Sequence, residues 1–255
     1  MIERLAPTDE AIVPCKVCGS PAAPFGAVDF ARDCNVLSGK PVPLAGIPIG
    51  YHRCATCGLI FTVAFDRFTP DEFRTHIYND GYPAVDPDYL ERRPRANASM
   101  IQTIFGASPQ LRILDYGGGN GLLCRVLREN GFANAFSFDP FDAGSASRPD
   151  GKFELIACFE VLEHTPTPRQ TLVDMTSFLA PGGIILASTL LQPDNIGEVG
   201  MSWWYIAPRN GHVTLYSRPA LEALIARAGL RMASFNDSFH LFFSTVPPFA
   251  KHLFG

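Results

Sequence analysis

Four cysteines stand in two pairs, Cys15-Lys-Val-Cys18-Gly19 and Cys54-Ala-Thr-Cys57-Gly58. In each pair the spacing and the trailing glycine form a knuckle that lets two thiolates face one metal. Two knuckles supply four sulfurs, the ligand set of a tetrahedral structural zinc. The interval between Cys18 and Cys54 exceeds the roughly 15–20 residues common between such pairs. A longer interval only enlarges the loop, and loop-closure entropy grows slowly with length. Two unrelated cysteine pairs, or a redox dithiol, are the alternatives. Cys34 reads as a buried small residue rather than a fifth ligand. A second chemical group begins at Ile113-Leu-Asp115-Tyr-Gly117-Gly118-Gly119-Asn-Gly121. Glycine admits φ > 0 and lets a ligand approach the backbone. The helix that follows offers free N–H groups and a partial positive charge. Such a turn suits a carboxylate, a phosphate or a ribose. The dinucleotide fingerprint Gly-x-Gly-x-x-Gly does not fit, because Leu122 and Asn120 fall where glycines are required.

The elements that position these groups can be read from periodicity. Ile113–Tyr116 is a short buried strand. Leu122, Leu123, Val126 and Leu127 follow at helical spacing, and Gly131 sits at a helix C′ position. Ala135-Phe-Ser-Phe-Asp139 is a second strand ending in an acid. An Asp about 20 residues past the glycine turn matches the position that holds ribose hydroxyls in nucleotide-binding α/β folds. A local turn role, with Pro140 next, is the alternative. Phe153–Cys158 is the next strand. The stretch from Asp139 to Phe153 is too short for a helix, a strand and a loop, so a third strand is expected to be short or missing. Glu160, Glu163 and His164 then stand at a strand's carboxyl end. A helix over 170–179, a turn at Ala180-Pro-Gly-Gly183 and a strand over 184–189 follow. Residues 191–210 form an insertion with Trp203, Trp204 and Tyr205, a pocket wall or a contact between copies. Ser217 caps a helix with Leu221, Leu224 and Ile225 on its apolar face. Two strands, 230–234 and 240–246, close the chain as a hairpin. Upstream, 1–14 is a loosely held arm. Ala96–Phe105 is a helix, and aromatics at 73, 78, 82 and 89 form a lid or pack a junction.

Length and composition narrow the classes. The 255 residues suffice for one large domain and a small appendage, and the apolar content of 47% supports a substantial core. The net charge of −4 argues against a nucleic-acid surface. No apolar stretch is long enough for a membrane span. The first residues lack a signal-peptide pattern, so the expected location is the cytoplasm. Seven cysteines, an odd count, argue against a disulfide framework.

From residue 111 to about 246 the chain resembles class I S-adenosyl-L-methionine (SAM) dependent methyltransferases. Four stretches carry the resemblance: Ile113-Leu-Asp-x-Gly-x-Gly-x-Gly121, the acid Asp139, Phe153-Glu-Leu-Ile-x-x-x-x-Val-Leu-Glu-His164, and Leu179-x-Pro-Gly-Gly183. Gly211-His-Val-Thr-Leu-Tyr-Ser217 is also familiar in that family. The doubled Cys-x-x-Cys ahead of such a domain is similar to a subgroup that includes sugar C-methyltransferases. Cys158-Phe-Glu-Val-Leu-Glu-His164 resembles the ubiquinone-type O-methyltransferases, where a divalent metal is one reading of Glu160, Glu163 and His164.

The resemblance implies a Rossmann-like α/β fold: a seven-stranded, mostly parallel sheet with its last strand antiparallel. With the knuckles, the chain divides into a zinc-binding module over 1–70 and a SAM-dependent methyltransferase domain over 71–255. Gly117, Gly119 and Gly121 would admit the methionine portion of SAM. Asp115 would orient the loop and reach the amino group, and Asp139 would bind the ribose. Cys158, Phe159 and Glu160 would line the sulfonium side. An imidazole ordinarily titrates near about 6.5, which makes His212 the first candidate base and Glu160 the second. The expected acceptor is a small molecule, a sugar nucleotide or another biosynthetic intermediate. An RNA methyltransferase with the zinc module as reader, and a SAM-binding module without catalysis, are the competing readings. The acceptor atom and the oligomeric state stay open.

Overall fold

A computed structural model describes residues 11–39, 43–140 and 148–254. The first ten residues of the expected arm lie outside the described residues. In chain order the strands are β1 (Val13–Pro14), β2 (Pro21–Asp29), β3 (Pro48–Cys54), β4 (Ile60–Phe61), β5 (Ile113–Tyr116), β6 (Ala135–Phe138), β7 (Phe153–Phe159), β8 (Leu179–Ser188), β9 (Thr214–Leu215), β10 (Arg231–Ser234) and β11 (Phe239–Phe243). The α-helices are α1 (Pro70–His76), α2 (Tyr82–Val85), α3 (Arg92–Phe105), α4 (Leu122–Glu129), α5 (Pro168–Thr176), α6 (Ile196–Val199) and α7 (Arg218–Ala226). Among the described residues no helix is long and apolar enough to cross a membrane.

The chain forms two compact units. The first holds Met1–Pro87, Leu162–Thr171 and Leu190–Leu224; the second holds Asp88–Val161, Leu172–Thr189 and Ile225–Gly255.

The first unit is built on an antiparallel sheet in the order β1-β2-β3-β4-β9. Each knuckle is a closed turn at a strand end: Gly19 N–H donates to Cys15 O and Gly58 N–H to Cys54 O, both at 3.0 Å. Gly19 (φ 84°) and Gly58 (φ 75°) take the left-handed backbone that ends each turn. The β2–β3 register sets Ala22 opposite Cys54 and so brings the two turns together. Leu59, Ile60 and Phe61 are fully buried, and β4 is flanked by strands on both edges. Thr69 and Glu72 form a reciprocal cap at the start of α1, satisfying N–H groups that have no partner within the helix. Ser217 Oγ accepts the Ala220 N–H at 3.1 Å, the N-cap expected there.

The second unit holds a mixed sheet in the order β10-β11-β8-β7-β5-β6. Strands β6, β5, β7 and β8 run parallel, and β11 is antiparallel to both its neighbours. The expected sheet of seven strands thus has six among the described residues. The third strand, expected to be short or missing, is not among them. Its place in the chain includes 141–147, which lie outside the described residues. The antiparallel strand near the end of the chain is as expected, and β10–β11 is a hairpin with Ser234 opposite His240. Ala98, Ile101 and Phe105 of α3 and Leu123, Cys124 and Leu127 of α4 bury against Ile113, Leu155, Ala157, Leu186 and Leu241 of the sheet. Each large apolar side chain so buried contributes about 1.5–3 kcal/mol. That packing fixes the carboxyl ends of β5 and β7, where the chemistry-bearing loops begin.

Candidate functional site

The glycine turn leaves β5 where the sheet's chain order reverses, with β6 on one side and β7 on the other. Open α/β sheets bind ligands at such a switch point. All four residues of β5 are buried, Asp115 included. The turn is tied to β6: Gly117 N–H donates to Phe138 O at 2.8 Å, and Gly119 N–H donates to Asp139 Oδ2 at 3.0 Å. Asn120 Oδ1 accepts the Leu122 N–H at 3.0 Å and starts α4.

Two glycines are required by close approach. A Cβ on Gly117 (φ 80°) would collide with the Val161 side chain, and one on Gly118 would meet Ser137 Oγ and lie 2.6 Å from Asp115 Oδ2. Gly119 (φ 49°) faces open space, with no heavy atom within 4 Å of its built Cβ. The turn is therefore packed beneath and open above. Burial, and then the charge of Asp139, push the Asp115 carboxyl up to about 7.

Of Cys158, Phe159 and Glu160, only Glu160 departs from the sheet. Cys158 is fully buried, and Phe159 packs in the core against Phe239. Glu160 takes φ 54°, and Ser188 Oγ donates to its Oε1 at 2.8 Å. Asp115, Gly117, Gly119, Gly121, Asp139, Cys158, Phe159 and Glu160 all belong to the second unit.

His212 belongs to the first unit, where it is buried beside β9. Its Nδ1 lies 2.9 Å from Tyr205 O and 3.9 Å from Cys34 Sγ. Its carbonyl accepts the Tyr51 hydroxyl at 2.7 Å. The Tyr205 ring stands 4.2 Å away centroid to centroid, and the His164 ring 4.9 Å. The Tyr205 hydroxyl donates to Glu163 Oε1, and Glu163 is wholly buried. His164 Nδ1 lies 3.2 Å from Gly211 O. Glu163, His164 and His212 each offer a ligand-type atom, and these lie within 4.8 Å of one another. With Nδ1 donating to the Tyr205 carbonyl, the lone pair of a neutral His212 ring lies on Nε2. Trp203 and Tyr205 are buried within this unit, so the insertion packs around His212.

The thiolate cluster lies in the same unit. Cys15 Sγ is 3.6 Å from Cys57 Sγ, Cys18 Sγ is 3.4 Å from Cys54 Sγ, and all four sulfurs fall within 4.8 Å. Sulfurs at 2.3 Å from a tetrahedral zinc stand about 3.8 Å apart, so the cluster fits that ion. None of the four is in a disulfide. A hydrogen bond from Cys57 holds the Cys15 thiol well below its ordinary range, at about 4, and pushes Cys57 up.

Several residues that shape these sites were not foreseen. Gly118, Ser137 and Ser188 support the turn and Glu160. A triple glycine where two would satisfy the motif, and a serine within each of two otherwise apolar strands, were the available signals. The contact of Tyr205 with Glu163 had no local signal, since the partners are far apart in sequence.

The second unit is thus a Rossmann-like α/β sheet with a glycine turn at its switch point. A family model described as "Methyltransferase domain" matches residues 89–234, more than half of the chain, and the chain belongs to that family. It is similar to a ubiquinone biosynthesis O-methyltransferase of Methylococcus capsulatus, with 36% identity over 107 residues, 40% of this chain and 45% of that protein. A protein of the same description from Maricaulis maris is 25% identical over 189 residues, covering 51% of this chain and 73% of that one. The chain spans less than half the length of the first curated relatives it matches. Human N-acetylserotonin methyltransferase, solved with SAM, superposes with a TM-score of 0.51 at 14% identity over 72% of this chain and 61% of that one. At that identity the likeness concerns the fold alone.

Proposed function

We propose that the protein is a SAM-dependent methyltransferase that modifies a hydroxyl of a small-molecule acceptor. The observation that carries this is the glycine turn, open above Gly119, tied to Asp139 and resting on the buried Asp115, in a chain of the methyltransferase family. Gly117, Gly119 and Gly121 admit the methionine portion. Asp115 answers its ammonium group, Asp139 takes the ribose, and Glu160 lies on the sulfonium side, carried there by the strand that Cys158 and Phe159 anchor in the core. Bound there, SAM supplies an electrophilic methyl group. The choice of oxygen as acceptor atom rests on the O-methyltransferase names of the relatives.

An acceptor hydroxyl must lose its proton as it is methylated. His212 is assigned that proton at Nε2, because Nδ1 is held by the Tyr205 carbonyl. Glu160 is the second candidate. One structural zinc, held by Cys15, Cys18, Cys54 and Cys57, stabilises the knuckles; a site closed by four thiolates leaves no position for chemistry. The seven free thiols fit the cytoplasm.

Calorimetry with SAM and S-adenosylhomocysteine (SAH) tests the cofactor. Micromolar-range binding is expected, and a protein that binds neither overturns the reading. A screen of pooled hydroxylated metabolites for label transfer from SAM then tests the acceptor class.

A further inference from the structure

Glu160 is the only non-glycine residue with positive φ among the described residues. A side chain in that region persists only where its surroundings over-determine it, and such positions gather at functional sites. Here one residue supplies the hold. The Glu160 N–H lies 3.0 Å from Ser188 Oγ and 3.2 Å from Ser188 O. The Ser188 hydroxyl in turn donates its single proton to Glu160 Oε1 at 2.8 Å. Ser188 ends β8, is buried, and pairs in register with Phe159, the last residue of β7. The next residue, Val161, packs onto Gly117 so closely that no Cβ fits there. The left-handed step therefore does two things at once. It seats Val161 on the glycine turn, and it holds the carboxylate of Glu160 against Ser188 at the carboxyl end of β8.

We infer that Ser188 is a positioning residue, and that the carboxylate it holds makes the site prefer the sulfonium cation SAM over the neutral thioether SAH. This rests on the SAM-binding reading above. The two ligands differ by one methyl group and one positive charge. A carboxylate fixed on the sulfonium side attracts the first and gains nothing from the second, so the product leaves more readily than the substrate. The preference needs the carboxylate held in place, since the attraction falls with distance and is weak in water.

The test is calorimetry of both ligands against the full chain and its variants. Glu160→Gln keeps the shape and removes the charge. It should weaken SAM by about tenfold, the size of a partly screened charge pair, and leave SAH within about twofold. Ser188→Ala should lower the SAM:SAH preference about threefold, and Ser188→Thr should restore most of it. The double variant Glu160→Gln/Ser188→Ala should show no lower preference than Glu160→Gln, because Ser188 acts through Glu160. Equal weakening of both ligands by Glu160→Gln, or no change in either, overturns the inference even while SAM binding itself stands. Additive losses in the double variant overturn the role of Ser188. A wild type that binds neither ligand overturns the methyltransferase reading instead. The Glu160→Gln result decides the preference even if Ser188→Ala does not fold.

Discussion

The two units assemble chemistry in opposite ways. In the second, the groups that meet the proposed cofactor come from short neighbouring stretches at the ends of parallel strands. Gly119 N–H meets Asp139 across one β–α–β step, and Val161 meets Gly117 across the next strand pair. In the first, the groups come from turns and irregular segments rather than from the ends of neighbouring parallel strands. Cys18 meets Cys54, Cys34 approaches His212, and Tyr205 meets Glu163. A parallel sheet positions its loops by packing, which the buried α3 and α4 faces supply. The first unit is packed too, with Tyr51, Phe61, Phe65 and Tyr216 fully buried, but its two cysteine turns project from strand ends, where the proposed zinc would tie them together.

The difference predicts unequal dependence on metal, and this is the largest expected effect. Stripping zinc with a strong chelator, or Cys54→Ser, should unfold the knuckle region, because metal affinity there is folding free energy. Hydrogen exchange should accelerate across β2 and β3 while β5, β7 and β8 keep their protection. Metal analysis should find one zinc per wild-type chain and much less in Cys54→Ser. Uniform loss of protection in both sheets would erase the contrast, and full occupancy in the variant would refute the ligand set.

Next in size is loss of cofactor binding through the second unit. Gly119→Val places a branched side chain at φ 49° into the open space above the turn. SAM and SAH affinity should fall at least about 100-fold, with zinc content unchanged. Gly118→Ala should be nearly as severe for a different reason, since its Cβ meets Asp115 and Ser137 from below. Wild-type affinity in Gly119→Val would show that the ligand does not use this turn.

The same contrast explains what the sequence revealed. The glycine turn between its strand and helix, and both cysteine knuckles, are short motifs with a fixed local geometry, and each was legible. The antiparallel β11 was legible through the resemblance. The surroundings of His212 were not. Glu163, His164 and Cys34 reach it only through tertiary packing, and Tyr205 through a loop that folds back on itself, and periodicity carries no trace of either. Nor did the alternation of β7 reveal that Glu160 would leave the strand in a left-handed step, because that depends on Ser188 of the adjacent strand.

His212→Ala is expected to lower turnover by roughly 10²-fold, the usual contribution of a general base, with SAM affinity changed little. Kinetics with an identified acceptor would check it. Near-normal turnover would reduce His212 to packing against Tyr205 and His164, and a large loss of SAM affinity would assign it to cofactor binding instead.

The smallest effect is a gradual one, and it comes from a carboxyl of the second unit held up to about 7, that of Asp115. Burial comes first and the charge of Asp139 second; the buried Cys124 thiol of α4, pushed up in its turn by burial, adds no opposite charge. Without ligand, the folded state holds the Asp115 proton more tightly than the unfolded chain, where a free Asp titrates near about 3.9. Stability from this group is therefore complete below about pH 4 and is lost as pH rises through about 7, a span on the order of 4 kcal/mol. Ligand binding runs the other way. If Asp115 answers the ammonium of SAM, the ionised form binds, and affinity should fall by up to about tenfold for each pH unit below 7. Binding at pH 6 should then release close to one proton, measurable as a dependence of calorimetric heat on the ionisation enthalpy of the buffer. Asp115→Asn should abolish that proton release and flatten the affinity profile between pH 5 and about 7.5. An equally steep profile in Asp115→Asn would move the titrating group elsewhere and leave Asp115 as a support for the turn alone.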